Sequence, residues 1–305
     1  MQVFNFQYKN NLLYRTYVDN LHRHSVKIKA SVDIPYLPIS FFKTHDVKSG
    51  IWESSTEFSS SGTTGINTSR HSVFDLDFYL RHSVGCFETF FGSVQKCHFL
   101  ALLPSYLERS GSSLIAMMDH FIRLDETGQS GFYLRNEEEL LNKIFLLKKS
   151  SRKVILVGVS FALVELAEKF DADLSHCMIF ETGGMKGKRK EMTRGELHSF
   201  LCEKFNVNVI YSEYGMTELM SQAYSLGNGY FKCPPGMKVN LRDINDPFGR
   251  VTDGRVGVIN VIDLANAHSC SFIETEDLGR VTENGFEVLG RMDNSDIRGC
   301  NLLIA

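Results

Sequence analysis

The sequence predicts an α/β fold: parallel sheets flanked by helices, with a smaller, more β-rich antiparallel subdomain toward the end. Three observations carry this. Apolar runs of strand length alternate with helix-length amphipathic stretches from about residue 74 to residue 211, the pattern of strands joined through covering helices. From about Pro234 onward the texture changes to short strands punctuated by Gly, Asp and Asn. No Pro/Gly/Ser-rich linker, internal repeat or low-complexity tract interrupts the chain, so 1–305 reads as one unit with its β-rich part at about 234–305.

Residues 1–50 read as a helical and loop lead-in containing Pro35 and Pro38. Residues 74–91 read as a helix with aromatics on its apolar face. Residues 97–103 form a short apolar run stopped by Pro104, the signature of a buried strand. Helices are predicted over 112–124 and 137–149, the second with a clear apolar stripe. Residues 154–159 (VILVGV) are the best parallel-strand candidate, and a helix over 161–170 follows. A strand over 177–180 leads into Gly183-Gly184. A helix over 194–205 and a strand over 207–211 come next, and 257–264 and 286–289 are strands of the later part.

The 305 residues are 43% hydrophobic and 23% charged, the composition of a globular protein rather than a disordered one. A net charge of -3 supplies no basic field for nucleic acid. No apolar run reaches the length of a membrane span, and the first residues lack the basic-then-apolar order of a secretory signal, so a cytoplasmic protein is expected. The cysteines are seven in number, scattered and without a CxxC pair, which argues against a disulfide framework or a structural zinc site.

The sharpest local signal is Ser59-Ser60-Ser61-Gly62-Thr63-Thr64-Gly65. Its glycines allow close backbone approach, and its hydroxyls and amides are donors suited to a phosphate. No GK[ST] follows, so this is not a Walker A loop. Taken alone, it reads equally well as a surface linker. Three further segments weigh against that. Glu181-Thr182-Gly183-Gly184 and Tyr211-Ser212-Glu213-Tyr214-Gly215-Met216-Thr217-Glu218 both follow predicted strands, at the end where α/β sheets bind ligands. Glu276-Asp277-Leu278-Gly279-Arg280 and Leu289-Gly290-Arg291 come later.

In this order the segments resemble the core motifs of the adenylate-forming superfamily, over nearly the whole chain from Trp52. The stretch from Leu102 to Ile115 (LLPSYLERSGSSLI) and the SSSGTTG loop running into Ser69-Arg70-His71 resemble acyl-protein synthetases of the LuxE type in particular. The resemblance implies the large-domain fold of that superfamily, without its usual C-terminal lid domain. It also implies ATP and Mg²⁺ as cofactors. Ser60, Ser61, Gly62, Thr63, Thr64 and Gly65 would embrace the ATP phosphates. Gly183 and Gly184 would line the adenine pocket, with Tyr214, followed by Gly215, stacking on the base. Thr217 would lie near the α-phosphate, Glu218 would hold Mg²⁺, Asp277 would grip the ribose and Arg291 would sit at the hinge. Two features depart from the superfamily pattern. The lysine usual after the phosphate loop is replaced by Ile66-Asn67-Thr68-Ser69-Arg70, leaving Arg70 or His71 to supply positive charge. The lysine of the lid domain is absent as well.

The implied activity is activation of a fatty or related carboxylic acid as acyl-AMP, followed by transfer to a thiol. The resemblance points to a cysteine near the end as acyl acceptor, and Arg298-Gly299-Cys300-Asn301 occupies that place. A neighbouring arginine lowers a thiol pKa, whereas the plain reading is one more small residue beside Leu302 and Leu303. A reductase, acyltransferase or carrier protein would take the acyl group onward. Two rivals are a phenylacetate-type CoA ligase and a non-catalytic nucleotide-binding subunit. Other candidates read as structural: His98 as a satisfied core histidine, Glu213 as a scaffold residue, and Lys186, Lys188, Arg189 and Lys190 as a solvated loop rather than a partner contact. His71 reads either as a substrate contact or as a helix cap, and the aromatics of 74–91 as core rather than an acyl tunnel.

Overall fold

The computed structural model describes residues 1–21, 28, 33–60, 68–104, 111–134, 136–183, 192–246, 249–251 and 254–292. Among these, twelve strands share one sheet. Five lie parallel in the spatial order Gly131–Tyr133, Cys97–Leu102, Lys153–Val159, Cys177–Thr182 and Ile210–Tyr214. Every residue from 97 to 102 is buried. Successive side chains of a strand point to opposite faces, so both faces of this half are covered. The covering includes two packed helix pairs, Leu76–Phe91 with Ser113–Arg123 and Ser160–Lys169 with Arg194–Phe205.

Ala223–Ser225 runs antiparallel to Ile210–Tyr214 and carries the sheet into its second half. From there the order is Phe231–Lys232, Gly285–Arg291, Phe272–Thr282, Val256–Asp263 and Met237–Arg242, each antiparallel to its neighbour. The antiparallel strands thus extend the parallel sheet rather than forming a sheet of their own. The N-terminal lead-in is built into this half. Helices Gln2–Asn10 and Leu12–Asn20 bury Phe4, Tyr14 and Val18 against Phe272, and Leu37–Pro38 pairs in parallel with Phe272–Thr282. Gln7 is fully buried, donating to the carbonyls of Asn266 and Ala267 and accepting from the Ser271 amide.

Two of the boundaries that differ from the sequence-based expectation bear on the site. The helix over residues 194–205 ends where Asn206 adopts a left-handed conformation (φ 54°), and Val207 bonds back to Cys202. Asparagine tolerates that geometry and closes helices with it. Residues 207–209 therefore make the turn, and the strand runs Ile210–Tyr214, so that Tyr214 lies on it. The strand expected over 177–180 continues to Thr182, which places Glu181 in its buried interior.

A separate two-stranded hairpin pairs Thr56–Ser59 with Arg70–Val73. Its base is closed by Ser60, whose amide donates to the Ser69 carbonyl (3.0 Å) and whose hydroxyl accepts from the Ser69 amide (2.9 Å). The Ser59 amide donates to the carbonyl of Gly111 at 2.7 Å. Gly111 has φ +84°, and a side chain there would stand 3.1 Å from the Glu57 carbonyl oxygen and from Ser59 Oγ. Glycine is what lets the chain before helix Ser113–Arg123 lie this close to the hairpin.

Candidate active site

Strand Ile210–Tyr214 delivers two groups of side chains to one place. The first is built on Tyr214. Its ring packs against Phe231 and Phe286, with centroids 5.7 and 5.4 Å away, and its hydroxyl donates to Asp277 Oδ2 at 2.8 Å. Asp277 and Arg291 are directly opposite one another on paired strands, with Arg291 Nε 3.7 Å from Asp277 Oδ1. The Arg291 head is 70% exposed and also stands 3.9 Å from Glu276. Burial pushes the Asp277 carboxyl up, and the Tyr214 hydrogen bond and the Arg291 charge pull it back.

The second group lies in the turn that follows. Glu218 is 5% exposed, and burial raises its carboxyl pKa against a hydrogen bond from Ser69 and the charges of Arg291 and Lys43. The Arg291 charge thus lowers the pKa of both Asp277 and Glu218. The turn is anchored through its backbone. The Glu218 carbonyl accepts from Asn266 Nδ2 at 2.8 Å, the Thr217 carbonyl lies 2.8 Å from His71 Nδ1, and the Met220 and Ser221 amides donate to the buried Asp263 carboxylate.

Behind Tyr214 lies a third cluster. Glu181 accepts from Arg194 Nε at 3.0 Å and from the Ser160 hydroxyl at 3.1 Å. Burial alone would raise its pKa, but His198, Arg194 and Ser212 hold it below the usual value. Arg194 also donates to the Val288 carbonyl and stacks on Phe231 at 4.8 Å, tying the parallel half to the antiparallel half. Gly183 follows at φ +72°, a left-handed position that suits glycine. It lines a cavity of about 680 Å³ together with Arg194, Asn228, Leu289 and Gly290. Glu213 points to the opposite face, where the Thr182 hydroxyl donates to it. Burial and the neighbouring Glu181 charge, opposed by that hydrogen bond, bring its pKa to about 7.

The fold therefore places Ser60 at the base of the hairpin, Gly183 after strand Cys177–Thr182, Tyr214 at the end of strand Ile210–Tyr214 with Gly215, Thr217 and Glu218 following, and Asp277 opposite Arg291 on paired strands. Ser61, Gly62, Thr63, Thr64, Gly65, Gly184 and Cys300, and the basic cluster Lys186, Lys188, Arg189 and Lys190, lie outside the described residues. His71 caps no helix. Asp75 does, accepting from the Phe78 amide, and the His71 ring is buried with both nitrogens engaged. Burial depresses its pKa against the hydrogen bonds to Thr217 and Asn266, while Arg70 is exposed on the hairpin. His98 is buried between Asp125 and Ser150. The six described cysteines are free thiols and at least half-buried, and burial raises the pKa of each.

Sequence reasoning missed Arg194, Asp263 and Asn266. No local pattern announces them, because each acts across a contact distant in sequence. Among the described residues no three or more His, Cys, Asp or Glu side chains gather to hold a metal ion by themselves. Mg²⁺ is usually held by one or two carboxylates together with the phosphates of its nucleotide, and a lone buried carboxylate such as Glu218 fits that mode. No described helix is long and apolar enough to cross a membrane.

No family model matches the chain. It is 22% identical to the long-chain-fatty-acid–luciferin-component ligase of Aliivibrio fischeri, over 100% of this chain and 86% of that protein. Among solved structures it superposes on 2-hydroxyisobutyryl-CoA ligase in complex with 2-HIB-AMP and CoA. The TM-score is 0.70 and the identity 14%, covering 96% of this chain and 66% of that one. It also superposes on ATP-bound MatB from Rhodopseudomonas palustris, with TM-score 0.57 and 18% identity, covering 77% of this chain and 47% of that one. The chain thus spans about half the length of MatB. Its fold is that of the adenylate-forming ligases, and along its whole length it is similar to the acyl-protein synthetases of the LuxE type.

Proposed function

We propose that the chain uses ATP to activate a fatty or related carboxylic acid as acyl-AMP and then passes the acyl group to a thiol. The observation that carries this is the meeting of the Thr217–Glu218 turn with the base of the Ser60–Ser69 hairpin, beside the Tyr214–Asp277–Arg291 group. An acid activator needs that juxtaposition: a place for phosphates, a carboxylate for their cation, and polar groups for the nucleoside.

In the first step a substrate carboxylate oxygen bonds to the α-phosphorus, and the bond from that phosphorus to the β-phosphate oxygen breaks, releasing pyrophosphate. In the second, a thiolate attacks the acyl carbonyl carbon and AMP leaves with the anhydride oxygen. Asp277, held by Tyr214, would grip the ribose hydroxyls, Arg291 would steady the phosphate side, and Thr217 would offer its hydroxyl to the α-phosphate. Glu218 would hold Mg²⁺, which when bound neutralises charge on the phosphates. Preorganised donors around developing charge account for much of the rate in such transfers. Free thiols throughout the described cysteines suit a reducing compartment, and we place the protein in the cytoplasm.

Cys300 is the proposed acyl acceptor, with a reductase, acyltransferase or carrier downstream. Incubation with ATP and a radiolabelled acid is expected to label the wild type and not Cys300→Ser, while both exchange pyrophosphate into ATP at equal rates. CoA is the second reading for the acceptor, favoured by the likeness to a ligase solved with CoA. Turnover supported by CoA and unchanged in Cys300→Ser establishes that reading instead.

A further inference from the structure

We propose that His71 is a positioning residue, which locks the Thr217–Glu218 turn to the strand that leaves the phosphate-side hairpin. The proposal rests on the functional reading above, although the contacts do not. His71 Nδ1 lies 2.8 Å from the Thr217 carbonyl oxygen, and Nε2 lies 3.1 Å from Asn266 Oδ1. Asn266 spends its Nδ2 on the Glu218 carbonyl at 2.8 Å, which fixes the orientation of its amide and turns its oxygen toward the histidine. Both ring nitrogens therefore face acceptors, which a doubly protonated ring satisfies together and a neutral ring one at a time. Asn266 is buried and the Thr217 carbonyl partly so. The ring is further fixed edge-on to Phe42, at 5.7 Å and 89°.

Ser69 stands two residues earlier, on the same side of the extended chain, near enough to the Glu218 carboxylate to lower its pKa. Its amide in turn closes onto the Ser60 hydroxyl. One short segment thus lies beside the proposed metal-binding carboxylate and holds the turn by its backbone and the base of the hairpin loop. Moving that segment relative to the turn would misalign the groups around the phosphates and leave Tyr214, Asp277 and Arg291 in place.

The test is steady-state pyrophosphate exchange and hydrogen–deuterium exchange on the full chain as wild type, His71→Leu, His71→Asn and His71→Gln. Leucine keeps the bulk and removes the donors. Asparagine places its amide near the Nδ1 position, and glutamine near Nε2. The expected result is a fall in kcat of about 10²-fold for His71→Leu, the scale of a misplaced reacting group, with KM for ATP near that of the wild type. His71→Asn recovers most of kcat, and His71→Gln recovers less. In parallel, peptides covering residues 212–222 lose protection in His71→Leu and regain it in His71→Asn.

Wild-type kcat and protection in His71→Leu overturn the proposal. If His71→Leu does not fold, the contrast between asparagine and glutamine decides, and equal kcat in those two variants overturns it. If the wild type exchanges pyrophosphate with no acid, the functional reading fails by itself. The deuterium arm then decides the clamp, with unchanged protection rejecting it and lost protection upholding it.

Discussion

Glu218→Gln abolishes acid-dependent pyrophosphate exchange to within a few thousandths of the wild-type rate, a loss on the order of 10²–10³-fold, as for removal of one preorganised electrostatic partner of a transition state. The substitution is nearly isosteric. It keeps an acceptor for Ser69 and leaves the backbone bond from Asn266 untouched. What it removes is the ionisable carboxyl of a site that is 5% exposed, where burial opposes ionisation. Among the described residues Glu218 forms no ion pair, so ionising it there costs stability. The thermal midpoint of Glu218→Gln is therefore expected to equal or exceed that of the wild type, while exchange disappears. Loss of both folding and exchange would show instead that Glu218 is part of the scaffold.

The second large effect lies away from the site. Asp125 is fully buried at its carboxylate and accepts from His98 Nδ1 (2.9 Å), Arg152 (2.8 Å), Ser130 (2.6 Å) and Thr127 (2.6 Å). Ser130 also accepts from the Phe99 amide. The hub ties strands Cys97–Leu102 and Lys153–Val159 to the turn after helix Ser113–Arg123. Ser150, His98 and Asp125 have the order of a hydrolase relay. The Ser150 hydroxyl, however, accepts from the Arg152 amide, and the carboxylate is surrounded by donors, so the arrangement is structural.

Asp125→Ala leaves His98 and Arg152 unpaired and is expected to cost about 3 kcal/mol of folding stability at pH 7, the lower end for breaking a buried pair. Burial would raise the Asp125 pKa, but the donors outweigh it and hold the carboxyl far below its ordinary value of 3.8. A depressed folded-state pKa contributes stability that is full above the unfolded value and is lost as pH falls toward the folded one. The difference between wild type and Asp125→Ala in urea unfolding should therefore be constant from pH 7 to about 5 and shrink below about 4. The pyrophosphate exchange rate per folded molecule should not change.

Much of this was legible in the sequence, and the limits are physical. The buried strands at residues 97 and 154 declare themselves by continuous apolar character, and the helix over 194–205 is read from the alternation of strands and helices; the structure adds its Thr193–Glu196 capping box. Tyr214, Thr217 and Glu218 are singled out by the resemblance, and one strand with the turn after it keeps them together. Asp277 and Arg291 meet because they pair in register, which local pattern alone does not fix. The continuity of the sheet was not legible, since it depends on Phe231 pairing with both Ser225 and Phe286. The work of His71 was also hidden: its partners are 146 and 195 residues away, and histidine beside a Ser/Thr-rich loop suggests a ligand contact before it suggests a clamp.

The most direct test of the central claim is ATP–pyrophosphate exchange by the wild-type chain with Mg²⁺ against a panel of carboxylic acids, from short hydroxy acids to long-chain fatty acids, with hydroxylamine trapping of the acyl-adenylate. Exchange that requires an acid, accompanied by the matching hydroxamate, is the predicted result and names the substrate class. Measurable ATP binding with no exchange and no hydroxamate for any acid would contradict the account.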